Sequence, residues 1–119
     1  MSNAAKAVWP RSTEDVVRNH LRGATIGVDA VMEDYTDESV LVTHAATYRG
    51  PAEIRQFFTA LFESLPAGFF KTMKMNREEF VGDLAYILWE GKPIISQATD
   101  TFVVRDGKIL FQTFTGMTG

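Results

Sequence analysis

Hydrophobic residues recur every three or four positions in the first half of the chain and on a shorter period in the second half. Val17, Leu21 and Ala24 keep helical spacing, and Ser12 with Asp15 three residues on is a capping pair. Residues 12–25 are therefore expected to form a helix, which Gly27 breaks. Val28, Val31, Met32 and Tyr35 then fall at i, i+3, i+4 and i+7, predicting a short second helix with one buried face. Asp37-Glu38 reads as a polar turn, Ser39 to His44 as a strand and Tyr48-Arg49 as a short return strand. Gly50-Pro51 opens a third helix, with proline near the start, where its missing N–H costs nothing. Ile54, Phe57, Phe58, Leu61 and Leu65 give that helix an apolar stripe, and Pro66-Ala67-Gly68 stops it.

From Phe69 onward the expectation is strand. A mixed run over 69–80 leads to a turn at Gly82-Asp83, a strand over Leu84 to Glu90, and a second turn at Gly91-Lys92-Pro93. A long strand from Ile94 to Arg105 follows, then the strong hairpin signal Asp106-Gly107 and a last strand over Lys108 to Met117. Four long strands in a meander, with one short early pair, must curl to bury a face against three helices. The predicted fold is α+β: a cone-shaped, curved, mostly antiparallel sheet wrapped around three helices from the N-terminal half.

Composition narrows the partners. A chain of 119 residues suits a single domain over 1–119, with 1–11 as a loosely packed N-terminal segment. A net charge of −3 offers no broad positive field for nucleic acid. The lack of cysteine excludes disulfides, thiolate chemistry and cysteine-ligated zinc. His20 and His44 do not have a metal-ligand spacing, so no metal and no cofactor are expected. No apolar run approaches the ~20 residues that span a bilayer, and the start has no signal-peptide core, so the expected location is cytoplasmic. Nine Phe, three Tyr and two Trp predict an aromatic-rich interior or pocket.

The residues at the joints resemble the nuclear transport factor 2-like superfamily, of cystatin-like fold, and within it the SnoaL-like and ketosteroid isomerase-like proteins. The carriers are Gly27 to Val40, Tyr48-Arg49-Gly50-Pro51-Ala52-Glu53-Ile54, and Asp100 to Ile109, and the resemblance runs from about Thr13 to Met117. It implies a cavity for a small hydrophobic or polar-aromatic ligand and a homodimer formed through the outer face of the sheet. That superfamily includes isomerases, cyclases, dehydratases, hydrolases and binding domains without chemistry, so the fold alone assigns no reaction.

Asp100 is the sharpest candidate. Alternation places Ala98, Asp100, Phe102 and Val104 on one strand face, so a core-facing Phe102 brings Asp100 inward with it. A carboxyl in an apolar pocket has its pKa raised by desolvation. The matching position in ketosteroid isomerase carries an acid that donates a hydrogen bond. The alternative is an aspartate that meets a backbone amide or a basic side chain. His44, at the end of the first strand, suits acid–base work, or else is a half-exposed residue of the junction. The isomerase's basic aspartate corresponds to Thr43, and its helix tyrosine to Asn19 or a neighbour, so steroid isomerisation by that mechanism is not expected. The catalytic pair expected here is His44 as base and Asp100 as acid, with Asn19, His20, Thr43, Trp89, Phe102 and Phe114 as ligand-lining residues. Ile95, Val103 and Phe111 are expected on the outer sheet face. The function these residues predict is an isomerase, cyclase or dehydratase type of small-molecule enzyme. The alternative is a ligand-binding or accessory domain with no chemistry.

Overall fold

The computed structural model describes residues 11–118, so of the segment 1–11 all but Arg11 lies outside the described residues. Helix α1 (Thr13–Ala24) starts at a reciprocal cap: the Asp15 N–H donates to the Ser12 hydroxyl at 3.0 Å, and the Ser12 N–H to the Asp15 carboxylate at 3.2 Å. Its buried face is Val16, Val17, His20 and Gly23. Gly23 permits close approach to the next helix, because a Cβ there would stand 3.2 Å from the backbone of Ala30 and Val31.

Helix α2 (Val28–Met32) is shorter than its apolar spacing predicts. The Asp34 carbonyl accepts the Ile109 N–H at 2.7 Å, so the chain is taken into the sheet before Tyr35 can continue the helix. Strand β1 (Tyr35–Thr43) then contains Asp37-Glu38, which were expected to turn outside it. Their polar character marks an irregularity instead: Tyr35 pairs with Ile109 but Val40 with Phe111. Ser39 stabilises this distortion, accepting the Thr36 N–H at 2.8 Å and donating to the Ile109 carbonyl at 2.6 Å.

Strand β2 (Thr47–Arg49) returns antiparallel to β1 and leads into α3 (Gly50–Ser64), whose first turn carries the proline. Ile54 and Phe58 bury its inner face. Phe69–Lys71 forms a 3-10 turn rather than the start of a strand, entered through Gly68 at φ 77°. The strands β3 (Lys74–Val81), β4 (Leu84–Gly91), β5 (Ile95–Arg105) and β6 (Lys108–Thr118) complete one sheet in the order β2-β1-β6-β5-β4-β3. Every neighbouring pair is antiparallel except β1 and β6, which run parallel. Asp106 and Gly107 both have positive φ, as a two-residue turn of the twisted hairpin type requires.

One face of the meander supplies the core. Ala85, Ile87 and Trp89 on β4 and Ala98, Asp100, Phe102 and Val104 on β5 alternate inward and pack with Leu41, Ile54, Phe58 and the α1 valines. Ile95 joins them at 6% exposure, against the expectation that it faces outward. A register shift between Ile95 and Gln97 inserts one residue, which reverses the side to which Ile95 points.

Candidate functional site

Asp100 sits opposite Ile87 of β4 and Phe114 of β6. Trp89 and Gln112 lie two residues along from those partners, one on each flank, and so share its face. Trp89 Nε1 donates to Asp100 Oδ1 at 2.8 Å and Gln112 Nε2 to Oδ2 at 2.9 Å. Behind them the Tyr35 hydroxyl donates to Gln112 Oε1. Every hydrogen in this chain points toward Asp100, the arrangement an ionised carboxylate favours because it can only accept. Burial pushes the Asp100 pKa up to about 6, against the pull of its two donors. The Tyr35 phenol is driven well above its ordinary value, by burial first and then by the charges of Asp100 and Asp34, and remains a donor.

Asp100 borders a cavity of about 40 Å³ beneath α1 and α3. His20 reaches the same cavity from α1, with its ring edge-on to Tyr35, Phe58 and Phe102 at centroid distances of 6.0, 5.8 and 5.4 Å. Burial lowers its pKa to about 4, and its buried Nδ1 has no hydrogen-bond partner. At neutral pH the cavity therefore presents a carboxylate and an uncharged imidazole. Among the described residues no three His, Cys, Asp or Glu side chains converge on a point that could hold a metal ion.

Of the residues singled out in the sequence, the structure gathers His20, Trp89, Asp100, Phe102 and Phe114 around this cavity. Three others lie elsewhere. His44 stands beyond the end of β1 in the exposed bend before β2 and is not among the cavity residues, so the expected His44–Asp100 pair is not assembled there. Thr43 spends its hydroxyl on that bend, donating to the Ala46 carbonyl and accepting from the Ala45 and Ala46 N–H groups. Asn19 faces away from the cavity, donating to buried Asp34 at 2.9 Å and accepting from Arg22. Gln112, Tyr35 and the α3 phenylalanines were not anticipated as site residues. The even spacing of Gln112 from Phe114 was the available signal.

The two buried groups titrate in opposite senses. The folded state holds the Asp100 proton more tightly than the unfolded chain, whose aspartate titrates near 3.8, so that contribution to stability is lost as pH rises from about 4 through about 6. It holds the His20 proton less tightly, so the histidine's contribution is present above 6.5 and lost as pH falls toward about 4. In the shared window the slopes oppose, each up to about 1.4 kcal/mol per pH unit. Relative to wild type, Asp100→Asn should make stability in urea fall more steeply between pH 6.5 and 4, and His20→Phe should make it fall as pH rises over the same range. Three parallel profiles would contradict both titrations.

The comparisons with known proteins agree with this architecture. A structure of an NTF2-like protein from Anabaena variabilis superposes with a TM-score of 0.76 at 16% identity, covering 98% of this chain and 97% of that one. One from Sinorhizobium meliloti, proposed to be a polyketide cyclase, gives 0.69 at 18% identity over 84% and 93% of the two chains. Another from Agrobacterium tumefaciens, proposed to be an isomerase of the SnoaL-like family, gives 0.63 at 12% identity over 86% and 94%. Identities this low show the shared fold alone. No curated protein sequence matches the chain at a significant level. The SnoaL-like domain family model matches residues 24–111, which run from the last residue of α1 through α2, α3 and β1 to β5 to the start of β6, and the chain belongs to that family.

Proposed function

We propose that the chain is a single small-molecule-binding domain in which Asp100 moves a proton on the bound ligand, an isomerase or lyase type of chemistry that needs no cofactor. The observation that carries this reading is the buried carboxyl at a cavity wall, with only donors around it and a pKa pushed to about 6. Such a group is mostly ionised at neutral pH yet retains basicity, which suits a general base. The role differs from the hydrogen-bond-donating acid expected by analogy with ketosteroid isomerase. On a ligand with a C–H bond next to a carbonyl, the proton passes to the Asp100 carboxylate and the electron pair moves onto the carbonyl oxygen. Neutral His20 has one N–H to offer that oxygen. Where the ligand also carries a β,γ double bond, return of the proton to the γ-carbon, as the carbonyl re-forms and the double bond moves into conjugation, isomerises it. Where it carries a β-hydroxyl instead, the enolate pair forms the α,β double bond, the carbonyl re-forms, and the proton leaves with the departing hydroxyl as water.

Butan-2-one in D2O provides the test, with deuterium exchange at its α-carbons followed by NMR. Exchange should exceed that in buffer, rise with pH through about 6 as Asp100 ionises, and drop by roughly 10²-fold or more in Asp100→Asn. Equal rates in wild type and variant would refute the proton-transfer role. A domain without chemistry is the second reading, favoured by the cavity's volume of about 40 Å³ against the several hundred of ordinary ligand pockets. Binding of the ketone with no exchange above buffer would select it.

We also propose a homodimer through the outer sheet face. Register places Val81 opposite Leu84, Leu84 opposite Val103, Val103 opposite Phe111, and Phe111 opposite Val40. This apolar row crosses five strands, and Val81, Leu84 and Phe111 are 62%, 41% and 48% exposed. Such a continuous row is a contact surface in search of a partner, and a second copy of the same sheet is self-complementary to it. Sedimentation velocity should give a dimer that Phe111→Lys converts to monomer. A wild-type monomer at micromolar concentration would contradict the proposal.

A further inference from the structure

The inner cavity does not stand alone. With a volume of about 40 Å³ it has room for roughly three waters. Beside it, between the α1–α2 connection and the segment joining α3 to the 3-10 turn, lies a surface recess of about 190 Å³. The two voids share three lining residues, Ala24, Phe62 and Phe70. Phe62 comes from the last turns of α3 and Phe70 from the 3-10 turn, and their rings meet at a centroid distance of 5.3 Å. Both rings are only partly buried, and they cover the edges of buried Phe58, Phe69 and Trp89, so a ligand that turned them aside would have to cover those rings in their place.

The inner wall also selects by charge. Asp100 is its one ionised group at neutral pH, His20 is neutral there, and neither lysine nor arginine reaches it. An anionic head would meet a carboxylate with no cation to offset the repulsion. His20 Nδ1, buried without a partner, asks for one hydrogen bond. Beyond the phenylalanine pair the recess wall carries Ile26, Leu65 and Pro66, which suit an apolar chain, and Lys71 as its one cation.

We propose that the two voids form one ligand tunnel gated by Phe62 and Phe70. It takes an elongated, uncharged molecule with a small carbonyl head at His20 and Asp100 and an apolar chain running into the recess. This rests on the pocket reading above, and it names the substrate class that the reading leaves open.

The test is a series of linear 2-alkanones from four to nine carbons, titrated calorimetrically into the full chain. Kd should fall about threefold to fourfold per added methylene until the recess is filled. Ala24→Leu, at the junction, and Ala67→Trp, at an exposed position of the recess, should each weaken the longest ketones about tenfold or more. Butan-2-one should change less than about twofold in Ala67→Trp, because Ala67 lines the recess alone, whereas Ala24 lines both voids. In Lys71→Ala, where the recess offers no cation to a reversed anion, octanoate should bind at least about tenfold more weakly than octan-2-one. A Kd independent of chain length, no binding by any ketone, long ketones unaffected in both Ala24→Leu and Ala67→Trp, or octanoate binding Lys71→Ala as tightly as the ketone would each overturn the proposal. The role of Asp100 fails by a different readout, unchanged deuterium exchange in Asp100→Asn, which chain length does not influence.

Discussion

One carboxylate, Asp100, is held by donors from the strands on either side of it. Trp89 from β4 and Gln112 from β6 each give it one hydrogen bond, and Tyr35 orients the glutamine. The inner surface of the meander is built around this constraint. A residue without a partner at that depth would be expelled or neutralised, and these donors bring its pKa back only part of the way. The remaining rise, from 3.8 to about 6, corresponds to about 3 kcal/mol charged against the ionised folded state at neutral pH. That is a sizeable share of the ~5–15 kcal/mol by which domains are stable. An apolar residue at position 100 would remove that cost but leave the Trp89 and Gln112 donors buried without an acceptor, at about 1–3 kcal/mol each.

The helices enclose that charge. α1 lays His20 across the top of the same cavity and α3 closes its side with phenylalanines, leaving a small, largely apolar volume where electrostatic effects are strong. The imidazole is uncharged because the same burial that raises the aspartate lowers the histidine. A carboxylate of raised pKa and a neutral imidazole thus arise from one cause acting on two residue types.

Much of the fold was legible in the sequence because local signals and burial agreed. The α1 cap, the Gly50-Pro51 helix start, the two-residue turns and the β5 alternation all appear where the pattern puts them. The errors fall where a strand departs from regular pairing. Counting back from the Asp106-Gly107 turn, with Arg105 opposite Lys108, would set Asp100 against Thr113, whose neighbours face the wrong way. A bulge between Val103 and Val104 moves its partner to Phe114, and that shift brings Gln112 onto the carboxylate. The same kind of irregularity turned Ile95 inward and drew Asp37-Glu38 into β1. His44 was misjudged for a simpler reason: the strand ends one residue before it, so alternation no longer governs its direction. Nothing in spacing alone distinguishes a strand's last residue from the first of its turn.

Whether the cavity holds a basic group depends on the state of one carboxyl in the folded protein. Carbon-13 NMR of the aspartate side-chain carboxyls, followed from pH 3 to 8, reads it directly. Asp100 should titrate with a midpoint near 6, apart from the exposed aspartates. A midpoint at or below about 4 would mean that its donors fully offset burial, leaving a structural carboxylate with no basicity to use.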